Sequence, residues 1–363
     1  MKRWLWLPLA VLAAGGGRAQ DSPKPRSYDP EMNEAARKAI EKCLDMLARR
    51  QQRNGSYEGS APVATSALAG LAFLASGSTY DRGPYRENIR RCTEFLVKSA
   101  GRTGFVTEAN SAVMGGSGMH GHGYATLFLA EVIGTVGDPD VLDRVKDVLT
   151  KAIRNIEGTQ NQYGGWNSTP SKDANDDGSG AVAVMQITAM RAARNSGIEV
   201  DHKVVKKAGE YILKITNNDG WTQYNVHNAS GGRGSSALTG AGMTILNALG
   251  LQSNPKYKKG IANVMSSAPF LKGSSADGGW QTWYYYAAFY CTLAIFQSGG
   301  EDWRKWWPAL REDLIKKQSS DGTWAGQYGN YGPLWSAMAV LTLQMPYRYL
   351  PVFQEGGAGG EGN

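Results

Sequence analysis

The sequence predicts an all-α fold in which twelve helices close into two concentric rings of six. Two observations carry that expectation. A short turn with a glycine and a terminal aromatic recurs six times, and each turn separates an amphipathic segment from one that is apolar nearly all round.

The turns are RNGSY (53–57), RTGF (102–105), QYGGW (162–166), NNDGW (217–221), ADGGW (276–280) and SDGTW (320–324), with aromatic-to-aromatic spacings of 48, 61, 55, 59 and 44 residues. Such spacing is that of a repeat with loop insertions. Ahead of each turn lies a segment with one apolar stripe. In the third, Val141, Leu142, Val145, Val148, Leu149, Ile153 and Ile156 share a face, while Asp143, Arg144, Lys146, Asp147 and Arg154 lie opposite. Asp29-Pro30, Gly83-Pro84, Asp138-Pro139 and Asn254-Pro255 read as starts of these outer helices, with Asp201 and Asp302 serving the other two.

The segments after the turns are 62–76, 119–134, 180–196, 235–251, 281–298 and 333–345. Helices apolar on every side must be covered on most sides. Glycines 77, 134, 197, 250 and 299 end five of them and Pro346 stops the sixth. An open superhelix would need polar capping repeats at both ends, and neither end has one. Closure hides all six inner helices at once.

Met1-Lys2-Arg3, an apolar run to Ala14 and the small residues up to Ala19 have the order of a secretory leader, so residues 1–19 are expected to be a signal peptide. Residues 20–28 then form a linker, 29–350 the helical domain and 351–363 a flexible tail, the last eight being GGAGGEGN. The apolar run is too short for a transmembrane anchor. The mature protein is expected to be exported, to a periplasm or outside the cell. Losing Lys2, Arg3 and Arg18 lowers the formal charge from +7 to +4, and the remaining cations alternate with acids, so no nucleic-acid footprint is expected. Three cysteines do not make a disulfide scaffold. Cys43 and Cys92 occupy equivalent repeat positions, and all three read as small buried hydrophobes.

Two of the turns extend into QNQYGGW (160–166) and KKQSSDGTW (316–324), and these resemble the Gln-Trp motifs of the squalene-hopene cyclase and protein prenyltransferase superfamily. The likeness spans roughly residues 30–350 and implies an (α/α)6 toroid, here a single-domain exported member about half the length of a two-domain cyclase. Triterpene cyclases of that superfamily protonate an alkene with an Asp-x-Asp-Asp loop. The corresponding stretch here is Asp173-Ala174-Asn175-Asp176-Asp177, in which the last two acids match, Ala174 stands at the first, and Asp173 is one residue out of register. The Asp-x-Cys zinc pair of the prenyltransferases and the Gly-Cys-Gly-Glu-Gln run of thioester domains are both missing. No cofactor or metal is expected.

Asp173, Asp176 and Asp177 are thus the catalytic candidates, although a helix starting near Ser179 would stabilise a carboxylate at its N-terminus, which opposes proton donation. His120 and His122 stand at the start of the second inner helix, where a spacing of two splays the rings, and no third ligand adjoins. Glu131 lies within the same apolar helix and needs a partner there. Trp280, Trp283, Tyr284 and Tyr285, in WQTWYYYAAFY (280–290), are candidates to line the hub, where rings suit an isoprenoid, a cationic intermediate or a sugar.

If the inner helices run parallel, six N-termini share one rim beside the glycine-rich loops 115–123, 228–236 and 327–333. That rim favours an anion, with Arg233 as its side-chain contact. Three functional readings follow. The first is a terpenoid-cyclase-like toroid that holds an apolar or isoprenoid-like ligand or serves as an interaction scaffold. The second is a cyclase acting through Asp176 and Asp177. The third is a carbohydrate-active toroid, which needs two facing acids, with Glu108, Glu131, Asp173 and Asp176 to draw on.

Overall fold

The computed structural model describes residues 31–108, 118–171, 177–228, 234–326 and 331–353. Asp173, Asp176 and Arg233, the leader, the linker and the tail beyond 353 lie outside them.

Outer helices α1 (Glu34–Arg50), α3 (Arg86–Lys98), α5 (Pro139–Thr159), α7 (His202–Ile215), α9 (Pro255–Ser267) and α12 (Gly300–Lys317) alternate with inner helices α2 (Pro62–Ala75), α4 (Gly118–Val132), α6 (Gly180–Asn195), α8 (Ser236–Ala248), α11 (Tyr284–Ser298) and α13 (Leu334–Gln344). A one-turn helix, α10 (Gly278–Thr282), precedes α11. No strand occurs among the described residues; two isolated bridges, Ala100 with Val106 and Thr216 with Thr222, close turns.

Composition accounts for the layers. Each outer helix buries one stripe, as α5 does with Val145, Leu149, Ala152, Ile153 and Ile156. The inner helices bury almost every side chain. Asp138, Asp201 and Asn254 cap α5, α7 and α9 as the sequence suggests, their side chains accepting from first-turn amides. The other three starts differ. Helix α3 begins past Pro84 with no side-chain cap, and α12 opens at Gly300, leaving Asp302 in its first turn. Asn33 caps α1, accepting from Ala36.

The inner helices touch in the cyclic order α2, α4, α6, α8, α11, α13 and back to α2, so the ring is closed and the fold is an (α/α)6 toroid. The seam between last and first elements is bonded at several levels. Gln344 Nε2 donates to the Ala72 carbonyl at 3.1 Å, Cys43 Sγ to that of Ser336 at 3.6 Å, and Arg50 pairs with Asp321 at 3.0 Å.

The repeated turns hold outer helices side by side. Gln160 Nε2 donates to Gly164 O in its own turn (3.1 Å) and to Val204 O on α7 (2.9 Å). Gln51 does the same with Gly55 (3.3 Å) and Asn88 on α3 (3.1 Å), and Gln318 with Gly322 (3.2 Å) and Ala39 on α1 (2.9 Å). The aromatics reach back to the helix just left: Trp166 Nε1 donates to Ile156 O at 2.7 Å, Trp324 Nε1 to Leu314 O at 2.8 Å, and Tyr57 Oη to Leu47 O at 3.0 Å. The two tryptophans thereby satisfy carbonyls that helix ends leave open, while Tyr57 shares the Leu47 carbonyl with the Gln51 amide.

Beyond α13 the chain does not fray at 350. Residues Pro351–Phe353 form a 3-10 turn with Val352 and Phe353 buried, Phe353 against Phe289 of α11 at 6.3 Å. The three cysteines are buried and free. No described helix is long and apolar enough to cross a membrane.

Candidate functional site

A cavity of about 630 Å3 opens where the N-terminal ends of α4, α6, α8 and α11 converge. His120, Ala181, Ala237, Leu238, Trp283 and Tyr286 supply its walls, and Gln223, Tyr224, Asn228 and Asp277 its polar edge. The inner helices present small residues here, Ala181 and Ala237 among them, and that leaves the room.

Asp277 is a site residue that the turn motif concealed. Its Oδ1 accepts from Gly279 N (2.9 Å), Trp280 N (3.3 Å) and Ser236 Oγ (2.6 Å), and its Oδ2 from Ser236 N at 2.8 Å. One carboxylate thus caps α10 and the start of α8. The anion expected at this rim is, for those two helices, the protein's own side chain. The Asp-Gly-Gly-Trp order was a readable cap signal, masked by its likeness to the other five turns.

Asp177 has a comparable task. Its side chain is 9% exposed, and Oδ2 meets the His227 backbone amide at 2.7 Å and His227 Nδ1 at 2.6 Å, the imidazole being 71% exposed. Together with Gly180 N donating to Tyr224 O at 2.7 Å, it fixes the loop after α7 to the start of α6. Asp177 does not line the cavity, and its bonded oxygen acts as an acceptor.

The two histidines diverge. His120 lines the cavity, and burial pushes its pKa down to about 4. His122 turns away from the hub: its Nδ1 accepts from Val106 N at 3.1 Å and its ring meets Phe105 at 5.2 Å. Burial lowers its pKa to about 4, opposed by the Ala152 backbone beside the ring. Among the described residues no three His, Cys, Asp or Glu come together as a metal site.

Glu131 belongs to the opposite end. Its Oε1 accepts from Val352 N at 3.1 Å, so it anchors the C-terminal turn rather than a ligand at the cavity. Burial raises its pKa to about 7, with Val352 and the charge of Arg191 on α6 opposing the rise. Glu108 is half-buried and its pKa is also raised by burial, while the backbone of Val63 at the start of α2 pulls it down.

The aromatic segment divides. Trp280 packs outward on Phe270 (5.5 Å) and Trp306 (6.1 Å), and Tyr284 bonds Asp313 of α12 beneath the Lys317 ammonium. Neither reaches the hub. Trp283 stands at the boundary: it lines the central cavity and also a side pocket of about 320 Å3 shared with Trp280, Tyr284, Tyr285, Lys317, Gly326 and Trp335. Tyr286 is the ring that reaches inward. It is buried in the cavity wall with its hydroxyl unpartnered among the described residues, close to the pair formed by Tyr124 and Tyr290 at 3.4 Å.

No protein-family model matches the chain, and no curated protein does. Solved structures do. The type II terpene cyclase MstE from Scytonema aligns over 88% of this chain and 100% of its own at 13% identity, with a TM-score of 0.54. A D-mannose isomerase aligns over 88% and 99% at 12% identity and 0.58. An inactive variant of an α-1,6-mannanase from Salegentibacter sp., solved with α-1,6-mannotriose, aligns over 86% and 98% at 9% identity and 0.59. At these identities the likeness establishes the toroid fold.

Proposed function

We propose that the protein is an exported terpenoid-cyclase-like toroid whose central cavity binds an apolar, isoprenoid-like ligand. The observation that carries this reading is the cavity: about 630 Å3, within the ~300–1,000 Å3 common for small-molecule sites, walled by Ala181, Ala237, Leu238, Trp283 and Tyr286. Aromatic faces and small apolar residues suit a branched hydrocarbon chain, and Asp277 is the one carboxylate in the described wall. Its four hydrogen bonds commit it to helix capping. MstE, a structural neighbour, has been solved with geranylgeranyl dihydroxybenzoate, which lends the reading some weight. The order of residues 1–19 supports export.

Acid catalysis by Asp177 is disfavoured by its engagement with His227, and glycoside cleavage by the single described carboxylate at the cavity, since that reaction uses two. The mannanase neighbour makes an oligosaccharide the second ligand to try. Titration with farnesol, followed by tryptophan fluorescence, is expected to give saturable quenching in the native protein and weaker binding in Ala237→Phe, which narrows the cavity. Quenching and turnover with mannotriose, and none with farnesol, would move the assignment to the carbohydrate reading.

A further inference from the structure

We propose that the side pocket is a subsite for the acidic head, a carboxylate, of a ligand whose apolar body lies in the central cavity. The proposal rests on the cavity reading above and assigns the head to a different wall of Trp283, the residue common to both spaces.

Two buried donors support it. Trp280 and Trp335, 2% and 4% exposed, both line the side pocket, and neither indole N–H has an acceptor among the described residues. A buried N–H without an acceptor forfeits its lost hydration, and native proteins seldom leave two so close together. Gly326 packs against one of them: a Cβ at that position would come within 2.2 Å of Trp335 Nε1, so any larger residue there would displace the donor. Every unpartnered buried side-chain atom among the residues of this pocket is therefore a donor.

Charge points the same way. Lys317 contributes an ammonium with three hydrogens, one of which goes to Asp313 Oδ1 at 2.6 Å. Asp313 is further occupied by the Tyr284 hydroxyl, which leaves the remaining ammonium hydrogens for a ligand. The described wall of the central cavity offers no Lys or Arg and holds the carboxylate of Asp277. An acidic head placed there would meet a like charge. In the side pocket it meets two indole donors and the Lys317 ammonium, which offsets the one neighbouring carboxylate, Asp313, whereas no Lys or Arg of the described central wall offsets Asp277.

The test compares farnesoic acid with farnesol, one hydrocarbon with two heads, by calorimetric titration. Farnesoic acid should bind about tenfold more tightly, the usual size of a hydrogen bond to a charged group. Trp335→Phe removes the indole N–H, which makes no hydrogen bond among the described residues, together with the five-membered ring, and the farnesol titration reports what the lost packing costs. It should cost the acid about tenfold more affinity than the alcohol, and Lys317→Gln should do likewise. Equal affinities in the native protein, or an equal loss of both ligands in Trp335→Phe, would overturn the subsite and leave the cavity reading standing. Failure of both ligands to bind would overturn the two together.

Discussion

Replacing Gly322 by alanine probes ring closure directly. Gly322 sits at φ +91° in the turn after α12, and a Cβ there would lie 2.7 Å from the Lys42 carbonyl oxygen on α1, a backbone atom that cannot swing aside. Two costs combine. Left-handed backbone costs a residue with a Cβ about 1–2 kcal/mol, and forcing an atom into an occupied space costs about 1–3 kcal/mol more. Gly197→Ala supplies the control: Gly197 has φ +87° with nothing within 4 Å of the added carbon, so it should incur only the first cost. Both substitutions lower the entropy of the unfolded chain equally. Urea unfolding at matched m-values should show Gly322→Ala less stable than Gly197→Ala by about 1–3 kcal/mol. Equal midpoints would mean that the last turn does not press on the first helix, and the closed ring would be refuted at its seam.

Glu131, with its pKa raised to about 7, holds a proton more tightly folded than unfolded, so its contribution is fully present below about pH 4.5 and is lost as pH rises toward 7. Glu131→Gln should remove that slope, worth on the order of 3 kcal/mol, as read from denaturation series across the window. His120 and His122, with pKa lowered to about 4, act in the opposite direction: both stay neutral when folded, and stability should fall as pH drops from about 6.5 to 4. His122→Gln should flatten the acid limb of the melting curve. Tyr286→Phe discards a buried, unpartnered hydroxyl and should leave the ligand-free protein as stable or up to about 1–3 kcal/mol more stable by thermal unfolding. Asp277→Ala opens four hydrogen bonds and a cap, and about 2–4 kcal/mol should be lost in the same assay.

The architecture was legible because its signals repeat. The inner segments expected at 62–76 and 180–196 are helices 62–75 and 180–195, since an all-round apolar run flanked by glycine turns leaves little choice. The same property hid the site. A helix apolar on every side has no preferred face, so nothing in WQTWYYYAAFY distinguished Tyr286, which faces the cavity, from Tyr284, which meets α12. The break at Trp283, which makes α10 a separate turn, was equally unsignalled. Glu131 needed a partner, and the sequence said so; that the partner would be Val352, 221 residues on, is a fact of closure and not of local pattern. Near Asp177 the helix start at Ser179 was foreseen, and Ser179 itself caps α6; the pairing of Asp177 with His227 was not, because loop-to-loop pairing leaves no periodic trace.

The Gln344 contact with Ala72 joins residues 272 apart. One flank of the first inner helix therefore stays bare until nearly the whole polypeptide has been made, and the slow closing of so distant a pair limits assembly. A chain cut short before α13 would keep its earlier hairpins while displaying a long greasy edge, so its expected fate is to adhere to other copies of itself.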